Sequence, residues 1–260
     1  MVRRKKASYV IRSVNNALEL LEQFNGNRDE LGVTELSKRL NLHKNKVFRL
    51  LATLETKGYI EQNKATENYR LGVKSLEVGQ TFLKQLGLVR QANPFLKEIV
   101  KECHEMAYLG TIRQNSVICL DMEEANQAVE VTNHVGLRFP IHCTAIGKAQ
   151  IAYATEEELE KLGILDNMER FTPNTIVNKV EFIKHIKEVV RRGYALDNEE
   201  YSPGVRCVAV PIRDYTGRVV GGISVPGPSF RMTDELVKGK IIPVVKDAGE
   251  KASKSLGFGA

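Results

Sequence analysis

Residues 32–72 read GVTELSKRLNLHKNKVFRLLATLETKGYIEQNKATENYRLG, and the periodicity of this stretch decides the N-terminal fold. A short helix is expected from about 34 to 40, with Thr34 as its N-cap and Leu36 and Leu40 turned inward. After the break at Asn41-Leu42, residues 43–57 place Val47, Leu50, Leu51 and Leu54 on the i, i+3, i+4, i+7 template of a packed helix. Gly58 stands where such a helix ends. Two helices across a turn of a few residues make a helix-turn-helix. Residues 59–62 and 69–72 then read as two short strands around the polar turn 63–67, a hairpin placed as a wing.

The polar side of the second helix gives this unit its expected task. Asn45, Arg49 and Ala52 lie opposite the apolar stripe, flanked by Lys46, Phe48 and Thr53, and no acidic residue appears before Glu55. Asn and Arg in the first turns of such a helix can make bidentate contacts with base edges in the major groove. Lys44 and Lys46 suit phosphates, which fix register without reading sequence. Lys64 at the wing tip and Arg70 can reach backbone phosphates or the minor groove. With Thr34 and Phe48, these residues form the expected DNA-facing set. An ordinary solvated basic face would share the charges, but here helix order, spacing and charge bias all agree.

Working outward, residues 10–24 carry Ile11, Val14, Leu18 and Leu21 at helical spacing, with Ala17 and Phe24 on the same side. This predicts an inward apolar face, and Gly26 is placed to end the helix. Residues 73–86, with Leu76, Phe82, Leu83 and Leu86, suggest a helix leading out of the domain. It can serve as a linker and dimer contact, or pack on its own domain. A helix from about 91 to 103 follows, striped by Phe95, Leu96, Ile99, Val100 and Cys103. The period then changes to strands at 107–113 and 116–122, joined at Gln114-Asn115, with a third strand at 128–132. Helices are expected at 144–154, 155–162 and 179–192, and strands at 194–196, 205–212 and 218–225. A closing helical region spans 233–256, kinked at Pro243. Hairpins with helices grouped between them indicate an α+β fold with a mainly antiparallel sheet. The expected division is 1–72 winged helix-turn-helix, 73–88 linker helix, and 89–260 effector-binding and oligomerisation domain.

Charge follows the same division. Residues 1–90 hold 17 Lys and Arg against 9 Asp and Glu, a net +8, while residues 91–260 hold 21 against 23, a net −2. A basic head on a near-neutral body suits a polyanion partner. No apolar run approaches the roughly 20 residues that span a bilayer. The basic stretch Arg3-Arg4-Lys5-Lys6 leads into no apolar signal core, so a cytoplasmic protein without membrane association is expected. Cys103, Cys119, Cys143 and Cys207 are scattered and read as reduced thiols.

The enzyme motifs fail one by one. Gly222-Ile223-Ser224-Val225 is followed by Pro226, where a nucleophile elbow needs Gly. Gly147-Lys148 lacks both the earlier Gly, which is His142, and the following Ser or Thr, which is Ala149, so it is no phosphate loop. No G-x-G-x-x-G opens a helix after a strand. His142, Cys143, Asp197 and Cys207 match no zinc spacing, so neither a metal nor a cofactor is expected.

Over essentially the whole chain these residues resemble the IclR-type bacterial transcriptional regulators. The N-terminal resemblance lies in 13–24, in 32–54 and in the wing ending Tyr69-Arg70-Leu71-Gly72. Three C-terminal segments are more specific: 136–149 (GLRFPIHCTAIGKA), 192–200 (RGYALDNEE) with 204–207 (GVRC), and 222–228 (GISVPGP). The resemblance implies a GAF-like C-terminal domain with a small-molecule pocket on one side of the sheet, and dimers that often pair into tetramers. Its ligand would sit against the start of the central helix and the inward groups of the later strands. On this chain those are Ala145, Ile146, Asp197, Cys207 and Ser224, and the helix start adds Thr144 and Gly147 to the expected ligand-binding set. Backbone N–H groups at the start of that helix could hold an anion such as a carboxylate. The family often has a second Ser where this chain has Pro226, which removes a hydroxyl and an N–H donor. Asp197 as a turn cap and Cys207 as core filler remain the structural alternative.

The expected function is therefore a ligand-responsive regulator of a metabolic operon. Its partners would be a double-stranded DNA operator, an organic or aromatic acid, and further copies of the chain. The rival reading is a metal- or redox-sensing switch built on Cys143 and Cys207. A third, an enzyme fused to a DNA-binding head, lacks any catalytic constellation.

Overall fold

The computed structural model describes residues 10–24, 30–85 and 87–259. They form two compact units, Met1–Gln85 and Leu86–Ala260. Gly26, Leu86 and the basic stretch at 3–6 lie outside the described residues, as does the Leu83 side chain.

The N-terminal unit contains α1 (Arg12–Glu22), α2 (Val33–Arg39), α3 (Lys44–Thr56), β1 (Ile60–Gln62), β2 (Tyr69–Leu71) and α4 (Val73–Gln85). α3 ends as its sequence demands. Gly58 adopts φ +75°, its N–H donates to the Glu55 carbonyl, and the Tyr59 N–H donates to the Leu54 carbonyl. This is the Schellman arrangement, which satisfies carbonyls that the last turn leaves open. The turn between α2 and α3 is braced by Ser37, whose hydroxyl donates to the Leu42 carbonyl at 2.6 Å. β1 and β2 pair antiparallel, and Leu31 bridges to Tyr69 on the other side. Leu20, Leu36, Val47, Leu51, Leu54, Ile60 and Tyr69 close the core.

Two expectations fail here. Thr34 is not an N-cap: Gly32 holds that position and Thr34 lies exposed within the first turn of α2. The stripe Ile11, Val14, Leu18 does not face inward, for these residues are 66%, 53% and 54% exposed. α1 instead buries Asn16 and Leu20, while Leu21 and, just past the helix end, Phe24 do meet the core as expected. The helix carries apolar residues on two sides, and spacing alone does not say which side meets the core. α4 likewise leaves Leu76 and Phe82 exposed.

The C-terminal unit opens with α5 (Gly87–Cys103) and continues with β3 (Ala107–Arg113), β4 (Ser116–Glu123), β5 (Arg138–Phe139), α6 (Ala145–Ile151), α7 (Glu156–Lys161), α8 (Lys179–Arg192), β6 (Ala195–Asn198), β7 (Val205–Arg213) and β8 (Val219–Pro228). A short helix α9 (Asp234–Leu236), a π-helical turn (Val237–Ile241) and α10 (Ile242–Ser255) complete it. All neighbours in the six-stranded sheet are antiparallel, in the order β5-β4-β3-β8-β7-β6. Gln114 and Asn115 both take positive φ, as a two-residue hairpin turn requires. α5 and α10 pack on one face of the sheet, while α6, backed by α8, covers the other.

Several details differ from expectation, among them an α5 that begins at Gly87 rather than near 91. Residues 128–132 form no strand; the free edge of β4 pairs instead with β5, through Val117↔Phe139 and Ile118↔Arg138. The central helix is shorter than 144–154. The irregularity near Pro243 is the preceding π turn, since Pro243 itself sits in the first turn of α10, where no intrahelical N–H is needed.

Candidate functional sites

In the N-terminal unit, Lys44, Asn45, Phe48 and Arg49 are all exposed on α3, with Phe48 56% exposed. Lys46 is half-buried; with the Asn16 amide oriented so that its nitrogen donates to the Arg12 carbonyl, the Asn16 oxygen accepts from Lys46 Nζ. That cation therefore ties α3 to α1 as well as lying beside the exposed face of α3. In the wing, Lys64 is exposed at the tip. Arg70 pairs across the hairpin with Glu61 at 2.6 Å, an exposed and weakly stabilising contact. The turn is held by Glu30, whose carboxylate accepts from Asn63 and from Thr66, each at 2.6 Å. Those side-chain hydrogen bonds lower the Glu30 pKa. Sequence reading did not find Glu30, which acts across more than thirty residues.

In the C-terminal unit, strand register assembles the second site. Asp197 pairs with Cys207, and Cys207 with Pro226; one step along, Ala209 pairs with Ser224, and Ser224 with Tyr108. Directly paired residues share a face, and residues two apart along a strand share it too. Asp197, Cys207, Pro226, Ser224 and Tyr108 therefore stand together beneath α6. Tyr108, Thr144, Asp197, Cys207 and Pro226 line a cavity of about 240 Å³. Phe139, Tyr201 and Ser202 form its second wall, and the irregular segment carrying Val131, Thr132 and Asn133 lies across it. The rings are mutually packed, with Tyr108–Phe139 centroids at 5.7 Å and Phe139–Tyr201 at 6.2 Å edge to face.

Of the seven residues expected to bind ligand, Thr144, Asp197 and Cys207 reach the cavity wall. The Thr144 hydroxyl is already engaged, donating to the Pro140 carbonyl at 2.6 Å and accepting from the Gly147 N–H at 3.2 Å. Ala145, Ile146 and Gly147 are buried behind it. A Cβ at Gly147 would collide with the Ile141 backbone, so that glycine serves packing. Ser224 is fully buried, and its hydroxyl has no hydrogen-bond partner among the described residues.

Behind Asp197 lies a buried ion pair. Lys148 has no exposed surface, and its Nζ donates to both Glu200 carboxylate oxygens, at 2.5 and 2.6 Å. The Glu200 N–H donates to Asp197 Oδ1 at 2.7 Å, and its carbonyl accepts from Thr175 at 2.6 Å. Burial pushes the Asp197 carboxyl up to about 7, against the opposing pull of Lys148. The pair had a legible signal: Lys148 is the one cation in AIGKAQI, a helix whose seven residues are all buried. A buried Lys requires a carboxylate partner.

The same burial disfavours the cysteine switch. It pushes Cys143 up to about 12 and Cys207 well above its ordinary value, whereas reactive or metal-binding cysteines need an accessible thiolate. Among the described residues no group of three or more His, Cys, Asp and Glu could hold a metal ion, and no helix is long and apolar enough to cross a membrane.

Comparison with known proteins identifies both domains. A family profile for the C-terminal domain of the bacterial transcriptional regulator IclR matches residues 80–254, and one for the IclR helix-turn-helix domain matches residues 13–64. The chain is 34% identical to the HTH-type transcriptional regulator XynR of Escherichia coli (strain K12) over 252 residues, 96% of this chain and 99% of that one. It is 33% identical to the HTH-type transcriptional regulator BhcR of Paracoccus denitrificans over 249 residues, 96% and 87% of the two chains. The crystal structure of Thermotoga maritima IclR superposes with a TM-score of 0.79 at 28% identity, covering 95% and 99%. An IclR homolog from Microbacterium hydrocarbonoxydans, complexed with 4-hydroxybenzoate, shares the fold with a TM-score of 0.82 at 22% identity, covering 94% and 98%. The chain thus belongs to the IclR family of bacterial transcriptional regulators, which bind DNA through a helix-turn-helix and are not enzymes.

Proposed function

We infer that this protein is a cytoplasmic, ligand-responsive regulator of a metabolic operon, in which a small organic acid bound in the C-terminal domain changes affinity for an operator. The observation that carries this reading is the cavity of about 240 Å³ under α6, in the same chain as a winged helix presenting Asn45 and Arg49 to solvent. Its volume falls below the range for drug-sized ligands, so a molecule of one ring or smaller fits. The aromatic acid bound by the Microbacterium homolog supports that size and class. Residues 89–260 would act as the GAF-like effector domain, 1–72 as the DNA-binding domain and 73–88 as the link between them. Asn45 and Arg49 would read bases, while Lys44 and Lys64 would meet phosphates, with Lys46 and Arg70 beside them. Ile11, Val14, Leu18, Leu76 and Phe82, left in solvent within one chain, support a homodimer, and dimers would pair into tetramers.

The test combines a gel shift on the DNA upstream of the protein's own gene with a thermal-shift screen of small organic acids. An effector must stabilise the protein by mass action and must also change operator affinity, since only differential binding moves an equilibrium. A compound that raises Tm but leaves operator affinity unchanged at fixed salt would count against the regulatory reading.

A further inference from the structure

The cavity wall has an imbalance of charge. Its lining holds one carboxylate, Asp197, and no Lys, Arg or His. The nearest cation, Lys148, is committed to both oxygens of Glu200. The groups facing Asp197 are Lys148 from α6, Glu200 just beyond β6, the Cys207 thiol from β7, the Cys143 thiol ahead of α6 and the Tyr108 hydroxyl from β3. With Lys148 and Glu200 cancelling, this buried cluster is net negative whenever Asp197 is ionised. An acid entering as its anion would bring a second carboxylate into the same dry space, and two carboxylates sharing one site do not both stay ionised. Pro226 deepens the problem, because it offers neither a hydroxyl nor an N–H to the anion.

We propose that the cavity binds its acid together with one proton taken from solvent, the proton being shared between the ligand carboxyl group and Asp197. A carboxylic acid–carboxylate pair needs no cation and leaves the cluster with the charge it had before binding. The arrangement selects weak monocarboxylic acids and disfavours dianions, for which a second proton would be needed. The inference rests on the effector reading above. Burial has already raised the Asp197 carboxyl to about 7, so proton uptake falls in the neutral range.

The experiment uses the full-length protein with benzoate, 4-hydroxybenzoate, pyruvate and lactate, each beside its primary amide. Binding is measured by titration calorimetry at about pH 6 and about pH 8, in buffers of different ionisation enthalpy. At least one acid should bind at the lower pH and roughly tenfold more weakly at the higher, with close to one proton taken up there. Its amide, which is uncharged and carries N–H donors, should bind alike at both. In Asp197→Asn, whose amide oxygen can still accept from Glu200 N–H, the acid should lose its pH dependence. Should that variant misfold, the buffer dependence of the unaltered protein still decides. An acid that binds equally at both pH values with no buffer dependence overturns proton sharing but leaves the effector reading standing. Binding of amides alone overturns proton sharing and, with it, the acid class of the effector, while leaving a small-molecule site standing. If no compound of either set binds at either pH, both fall together.

Discussion

In the winged helix, the residues placed to meet a partner are local and exposed: Asn45 and Arg49 lie one helical turn apart on α3, with solvent in front of them. In the C-terminal unit, the corresponding residues are buried and distant in sequence. Tyr108, Asp197, Cys207 and Pro226 come from four strands and meet only because the sheet pairs them in one register. A surface site of the first kind can lose a side chain and keep its fold. A site of the second kind shares its residues with the core, so function and stability are damaged together.

The largest expected effect probes the buried side. Lys148→Met should leave the Glu200 carboxylate buried without its cation and cost about 3–5 kcal/mol of stability, read from chemical denaturation of the C-terminal unit. Adding Glu200→Leu should recover much of that loss, because a well-packed apolar pair often replaces a buried ion pair at little cost. A loss below about 1 kcal/mol in the single variant would mean that water reaches this pair, and the contrast between the two regions would weaken.

On the exposed side, Arg49→Ala should leave the thermal transition in place and cost about 1–3 kcal/mol of specific operator binding per half-site, as loss of one bidentate base contact does. Gel shifts at fixed salt, with a scrambled duplex as control, give the number. Equal weakening on both duplexes would move Arg49 from reading bases to touching phosphates.

The two regions also differed in how far their residues announced themselves. The helix-turn-helix was readable because each decision in it is short-range: Val47, Leu51 and Leu54 are spaced for one face, and Gly58 closes the helix with its own φ. α1 departs from expectation because Ile11, Val14 and Leu18 compete with Asn16 and Leu20 for the core, and only tertiary packing decides. In the C-terminal unit, most strands and helices were placed within a few residues, and Asp197 and Cys207 were singled out through family resemblance. Tyr108, Phe139 and Tyr201 went unnoticed because cross-strand register is long-range information, set by pairings that no local period reveals. Residues 128–132 alternate like a strand, yet the β4 edge they could have joined is taken by Arg138 and Phe139.

A smaller effect concerns pH. His185, half-buried on α8 with a ring nitrogen lacking any hydrogen-bond partner among the described residues, has its pKa lowered to about 4, mainly by burial and further by Lys148 and Arg192. In the unfolded chain this group takes up a proton near its ordinary value of 6.5. Between those limits the unfolded state holds more protons, so stability falls as pH drops from 6.5 toward about 4 and levels off below. After allowance for partial solvent contact, the effect is on the order of 1 kcal/mol. Thermal melts across that window should show a shallower decline for His185→Gln than for the unaltered protein, and parallel curves would remove His185 from the account.

The smallest effect tests whether the exposed region divides its labour as its geometry implies. Lys44 opens α3 and is exposed; as proposed, it meets a phosphate rather than a base. Lys44→Ala should weaken specific and nonspecific duplexes alike, by roughly fourfold per half-site near 0.2 M salt, and should lower the slope of log affinity against log salt by about 0.9 per half-site. Arg49→Ala, if it reads bases, changes the ratio between the duplexes and leaves that slope nearly untouched. Two residues five positions apart on one exposed helix would then be separable by salt alone. No separation by salt is open to Asp197 and Cys207, which are paired directly across two strands and line one buried cavity, so that most substitutions there alter packing and recognition together.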